Sequence, residues 1–315
     1  MQNVLKDTLP SLKREVSAMA KSLRSDYRAG HVPFYAAANK TKFWDNDIPA
    51  AIELVLEEHE RNPSAKSLEL LGEYHINAGQ NVVARALLNQ CYREYGQLHI
   101  TNLIFCKIPT TVALVDDDKK ILYVALPKCA SSTIKNYFTF ARFGKTYGEQ
   151  VHFNHGDMYR LVTAEDLATR YKDYYKFTVV RDPVSRLVSY FSSNISNKAL
   201  RREAHGQQEF MGLSTTPGPV VVAQRFQQYR QMFIDFRHHT DPMTGYLRNM
   251  RPLLDDICKM SDLPRIRERL SEAYGVTIAD ERSMTTKENF ELLDICKREF
   301  AKLDEFYAED YRAFF

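Results

Sequence analysis

No apolar run in the 315-residue chain approaches the roughly 20 residues needed to cross a bilayer, so no transmembrane segment is expected. Cysteine is sparse and unpatterned. Cys91, Cys106, Cys129, Cys258 and Cys296 are an odd number, widely spaced, with no CxxC pair. That excludes a disulfide scaffold or a zinc site and fits thiols in a reducing compartment. Charge of one sign is also scarce: 43 Lys and Arg against 40 Asp and Glu leave +3, too small a bias to indicate a nucleic-acid partner. The stretch MQNVLKDTLPSLKREVSAMAKSL mixes charged with apolar positions and lacks the unbroken apolar core of a secretory signal. The expected location is the cytoplasm. What the chain does have is 44% apolar and 26% charged residues, the mix of a protein that buries a core. Its length suggests two domains.

Composition shifts divide the chain into a helical region, 1–115, and a second region, 116–315. Apolar residues at three- and four-residue spacing predict helices over 48–61, 64–78 and 81–95, with Pro63 and Gly79 in the turns. Leu68, Leu71, Gly72, Gly79, Ala84 and Leu88 resemble the small and apolar positions of one tetratricopeptide repeat. About one and a half repeats are visible, which leaves two readings open: a helical hairpin packed within the protein, or a module that binds a protein partner. Residues 1–47 read as helical in parts, with a break at His31-Val32-Pro33-Phe34.

After residue 115 the period changes. The polar turn Asp116-Asp117-Asp118-Lys119-Lys120 leads into Ile121–Leu126, a continuous apolar run that predicts a strand buried on both faces. Ser131–Phe143 then reads as a helix. A second such strand, Phe177–Val180, runs into Arg181-Asp182-Pro183, where Asp182 suits an N-cap and Pro183 the first turn of a helix. Two strand–turn–helix units argue for an α/β fold with a parallel sheet. Residues 220–315 read mostly as helices.

The two turns carry the chemistry. In Pro127-Lys128-Cys129-Ala130-Ser131-Ser132-Thr133 a buried strand opens into a helix, exposing backbone N–H groups and the positive end of the helix dipole. Small residues let the backbone approach an anion, three hydroxyls add donors, and Lys128 adds a full charge. A phosphate or sulfate group is the natural occupant. Lys128 comes first in this loop and no glycine is present, unlike the GxxxxGK[ST] of nucleotide hydrolases. The second turn, Arg181 to Phe191, places Arg181 at a strand end, Ser189 eight residues on and Arg186 between them. Arginine grips phosphate through a planar two-donor fork.

In order and context these turns resemble the two cofactor motifs of sulfotransferases that use 3′-phosphoadenosine 5′-phosphosulfate (PAPS), and with Ala130 in the first loop they are more similar to the carbohydrate, glycosaminoglycan-type branch. His239-Thr240-Asp241-Pro242 is similar to a His-x-x-Pro element of that branch, and Leu303–Tyr311 to its C-terminal helix. The resemblance spans about residues 119–315. It implies the sulfotransferase fold, a P-loop-like parallel sheet flanked by helices, here with a small all-helical N-terminal region. It implies that Lys128, Cys129, Ala130, Ser131, Ser132 and Thr133 hold the 5′-phosphosulfate, and that Arg181, Ser189 and Arg186 serve the 3′-phosphate. The product would be 3′-phosphoadenosine 5′-phosphate (PAP), the acceptor a carbohydrate or other hydroxyl-bearing molecule, and no metal is required. No membrane anchor is expected, a departure from the family's eukaryotic members that argues against a Golgi-type location.

An acceptor hydroxyl also needs a general base. Val151-His152-Phe153-Asn154-His155-Gly156-Asp157 connects the two turns; His155, beside a glycine, is the favoured base and His152 the second, with an acidic residue or another histidine left as the alternative. Arg201, Arg202, His205, Arg225, Arg230 and Arg237 line either a basic cleft or ordinary helix surfaces. Ser283–Thr286 is a weak further cofactor contact. Two other functions compete: a P-loop-type kinase using ATP or GTP, and a non-catalytic helical-repeat binding protein.

Overall fold

Cap chemistry sets where the N-terminal helices start and stop. The computed structural model describes residues 34–152, 154, 156–196, 198–279 and 290–315. Helix α1 (Phe34–Trp44) is followed by α2 (Ile48–Arg61), whose first turn is capped by Asp47 accepting the Ala50 N–H at 2.9 Å. Ser64 caps α3 (Ala65–Asn77) in the same way, and Gly96 in the left-handed region ends α4 (Asn81–Tyr95). The three helices expected from periodicity are present within a residue of their expected ends. α3 and α4 form a hairpin that needs a small residue: a Cβ on Gly72 would lie 2.5 Å from Leu88 Cγ and Cδ2. The break expected at His31–Phe34 lies mostly outside the described residues.

This first unit, the chain up to Asn102, also includes Lys198–Pro217 and Gln227–Asp235. Phe43 of α1 packs on Phe210 with ring centroids 4.8 Å apart, and Asn77 donates to the Gln231 carbonyl at 2.7 Å. The first unit therefore recruits segments far beyond residue 115, which no local pattern announces.

The second unit, Leu103–Asn197, Gly218–Phe226 and Phe236–Phe315, is built on a five-stranded sheet. Its strands are β1 (Thr110–Asp116), β2 (Ile121–Val124), β3 (Tyr159–Thr163), β4 (Tyr175–Val180) and β5 (Asp256–Lys259), in the order β3-β1-β2-β4-β5. The α/β architecture flanked by helices is as expected, but the sheet is mixed. β2, β4 and β5 are parallel, whereas β1 runs antiparallel to both β2 and β3. The cause is the polar turn after Asp116: only a few residues join β1 to β2, too few for a crossover, so the pair closes as a hairpin. β1 begins before the compositional break near 115, and β5 lies in the stretch read as mostly helical.

Helix α5 (Ser131–Phe143) follows β2, and α6 (Pro183–Tyr190) follows β4. The core joins sheet to helices: Tyr123 and Phe177 stack at 5.0 Å beside the buried Phe138 of α5. Emptying the Phe138 site would cost about 3–5 kcal/mol. Among the described residues no helix is long and apolar enough to cross a membrane.

Candidate functional site

β2 and β4 are parallel neighbours, with Val124 opposite Thr178, so both strands end at the same edge of the sheet. Open sheets bind ligands at this carboxyl edge. Two corners emerge there.

The first corner is strained. Lys128 and Ala130 sit at φ 62° and 57°, in the left-handed region that costs a residue with a Cβ roughly 1–2 kcal/mol. Such strain clusters where function holds it. The Cys129 N–H closes the turn on the Leu126 carbonyl at 3.3 Å. The Cys129 side chain is fully buried, with Sγ 3.8 Å from Met243 Sδ, and burial pushes its thiol up to about 11. Of the loop residues expected to face a ligand, Cys129 therefore turns its side chain away. Ser131, Ser132 and Thr133 occupy the first turn of α5, where N–H groups have no carbonyl a turn back. Lys128 Nζ donates to Ser193 Oγ at 2.5 Å and to Asn194 Oδ1 at 3.2 Å. Both partners ride on a π-helical turn, Phe191–Ile195, and escaped the sequence reading. The available signal was the polar run Ser192-Ser193-Asn194, placed where the apolar face of α6 stops.

The second corner is relaxed. Asp182 accepts the Ser185 N–H at 2.7 Å, and Pro183 starts α6, both as expected. The other Asp182 oxygen accepts the Tyr311 hydroxyl at 3.1 Å. Arg181 reaches toward the first corner, Nη1 lying 3.4 Å from the Lys128 carbonyl. Burial pulls its guanidinium pKa down, and among the described residues no carboxylate forms an ion pair with it. Ser189 is half-buried; its carbonyl accepts the Ser193 hydroxyl at 2.7 Å. Arg186 departs from the expected phosphate grip. It is 1% exposed, and it donates from Nε to the Pro127 carbonyl at 2.9 Å and from Nη1 to the Asp241 carbonyl at 2.7 Å. Its position inside α6, one turn after the cap, points it under the first loop rather than out of it.

The His-x-x-Pro element packs on the second corner, with the His239 ring stacked on Tyr190 at 4.6 Å. Asp310, fully buried in the C-terminal helix Ala308–Phe314, accepts the backbone N–H groups of Met243 and Thr244 at 2.8 Å each. That helix therefore clamps the segment against which Cys129 is plugged.

Of the two histidines, His152 ends a short 3-10 turn, Gly148–His152. Its Nε2 is 2.8 Å from Ser132 Oγ and its Nδ1 3.3 Å from Lys135 Nζ. His155 and Ser283–Thr286 lie outside the described residues. Lys135, absent from the sequence reading, is 4% exposed and lies 4.7 Å from the Tyr159 ring; burial pulls its ammonium down to about 8. Its signal was a lysine in the apolar face of α5, one turn after Ser131. Arg201, Arg202, His205 and Arg230 belong to the first unit and Arg225 and Arg237 to the second. Arg237 is buried, so it does not line an open cleft.

These features suit an anion: helix N–H groups, a lysine and an arginine meet at one strand edge, while the carboxylate of Asp182 is turned to capping. Among the described residues no cluster of three or more His, Cys, Asp or Glu is placed to hold a metal ion. No curated protein and no solved structure matches the chain. Residues 112–315, well over half the chain and containing both corners, match the sequence model of the Sulfotransferase family, and the chain belongs to that family.

Proposed function

We propose that the protein transfers a sulfuryl group from PAPS to a hydroxyl of a carbohydrate acceptor. The observation that carries this reading is the approach of Arg181 Nη1 to the Lys128 carbonyl at 3.4 Å, which lets one ligand span both corners. The residues fit such a donor: the first turn of α5 and Lys128 suit the 5′-phosphosulfate, and Arg181, which forms no ion pair among the described residues, suits the 3′-phosphate together with Ser189.

The donor supplies an activated sulfuryl group on a phosphate leaving group. The protein's tasks are alignment and charge stabilisation, as in phosphoryl transfer. The N–H groups of Ser131, Ser132 and Thr133 are fixed by the helix before any ligand arrives, so they stabilise charge on the leaving oxygen without reorganising. Lys128 adds a full charge at the same place. Ser193 and Asn194 hold its ammonium, limiting the rotamers lost when it engages an anion. Arg186 braces the loop from beneath through the Pro127 carbonyl. The base comes from the connection carrying His152 and His155. Within it, the hydrogen bond to Ser132 favours His152, because that places the ring beside the helix terminus.

Calorimetric titration of PAP against AMP tests the donor. Binding of PAP at least about tenfold tighter is expected, since a charged hydrogen bond is worth roughly 1.5–3 kcal/mol. Equal affinities would remove Arg181 and Ser189 from the reading. Labelled sulfuryl transfer to a panel of glycans, lipid-linked sugars, tyrosine peptides and small alcohols tests the acceptor. Turnover confined to non-carbohydrate acceptors would overturn that half.

A further inference from the structure

Lys135 is a lysine buried inside the protein. It is 4% exposed, and among the described residues no carboxylate pairs with it. Asp157, on the adjoining segment, pairs instead with Arg142 at 3.6 Å. What faces Lys135 is the Tyr159 ring at 4.7 Å and His152 Nδ1 at 3.3 Å. The other ring nitrogen, Nε2, lies 2.8 Å from Ser132 Oγ in the first turn of α5. The three side chains form one line, Lys135–His152–Ser132, ending at the proposed phosphosulfate loop.

An ammonium can only donate, so a charged Lys135 requires Nδ1 to be the acceptor and leaves the imidazole proton on Nε2. In that state Nε2 donates to Ser132 and has no lone pair for an acceptor hydroxyl. A neutral amine can accept instead. The imidazole proton then moves to Nδ1, and Nε2 gains a lone pair facing Ser132. We infer that Lys135 is a positioning residue for His152, its protonation state selecting which ring nitrogen carries the imidazole proton and hence when Nε2 can take a proton from a hydroxyl. The proton balance is simple. One proton leaves Lys135 to solvent, the neutral ring exchanges tautomer, and a hydroxyl proton then adds to Nε2 to give imidazolium, with Nδ1–H directed at the amine. The burial-lowered ammonium, near 8, puts this change in a readily sampled pH range.

The catalytic half of the inference rests on the proposed function, but the tautomer does not, so the two can fail separately. In the ¹⁵N-labelled full chain without donor or acceptor, long-range ¹⁵N–¹H correlation reads the His152 tautomer from pH 6 to 10, with His152→Gln identifying the signals. The expected result is an Nε2–H ring at low pH giving way to Nδ1–H as pH rises through about 8. Lys135→Arg, which stays charged, should hold Nε2–H throughout, and Lys135→Met should abolish the step. One tautomer at every pH in the unsubstituted protein, or a switch that survives in both variants, overturns the inference. In turnover, kcat should rise through the same pH range, with the limb lost in Lys135→Arg and the KM for PAPS unchanged. A tautomer switch without that limb removes His152 as the base.

Discussion

The corner after β2 holds Lys128 and Ala130 at positive φ and leaves the first N–H groups of α5 open, whereas the corner after β4 starts its helix with a proline and an aspartate cap. Both are strand-to-helix turns on neighbouring parallel strands. They differ in where their polar groups go. At the second corner Asp182 satisfies the helix terminus internally, and Arg186 turns inward to bond the Pro127 carbonyl of the first. At the first corner a left-handed residue, Ala130, takes the N-cap position and no side chain caps the helix. In the proposed reading the first corner receives the anion, and the second braces it through Arg186 while contributing Arg181.

That contrast can be broken by substitution. The largest effect is expected from Lys128→Ala: turnover of labelled donor should fall by about 10²–10³ while the melting temperature barely moves. Near-normal turnover would mean that the strained corner is not the charge-stabilising one. Arg186→Leu should act on stability instead. It removes the Arg186 donor from two buried carbonyls, at about 1–3 kcal/mol each, so urea denaturation should show a loss of about 2–6 kcal/mol. Wild-type stability in this variant would refute the bracing role. Arg181→Ala should weaken PAP binding by about 10–100-fold and leave AMP binding unchanged, as titration would reveal. An equal loss for both nucleotides would move Arg181 from the 3′-phosphate to the shared part of the ligand. The smallest effect belongs to Ala130→Gly. Relief of left-handed strain, offset by a more flexible unfolded chain, should stabilise the protein by roughly 0.5–1 kcal/mol in the same denaturation assay. Destabilisation would show that Ala130 is not strained.

Much of the site was legible because its signals are short in range. The apolar run before Pro127, the serines and threonine after Ala130, and the Asp182-Pro183 pair each declare a strand end or helix start within a few residues. Helix Ser131–Phe143 has the expected ends for that reason. Lys135 and Ser193 were missed for the opposite reason. A lysine in an apolar face and a serine after a helix look like solvated residues until a partner 17 or 65 positions away is brought against them. Arg186 was misplaced because a strand–helix spacing of residues does not tell which side of α6 faces the loop.

The sequence alone determined the two corners, their order and their charge, since local propensity and the loss of hydrogen-bond partners at a helix terminus act over one or two turns. The tertiary structure decided the antiparallel pairing of β1, the recruitment of segments beyond residue 197 into the N-terminal unit, and the inward turn of Arg186 and Cys129. Those outcomes depend on which surfaces exclude water together, and that is set by contacts between residues far apart in the chain.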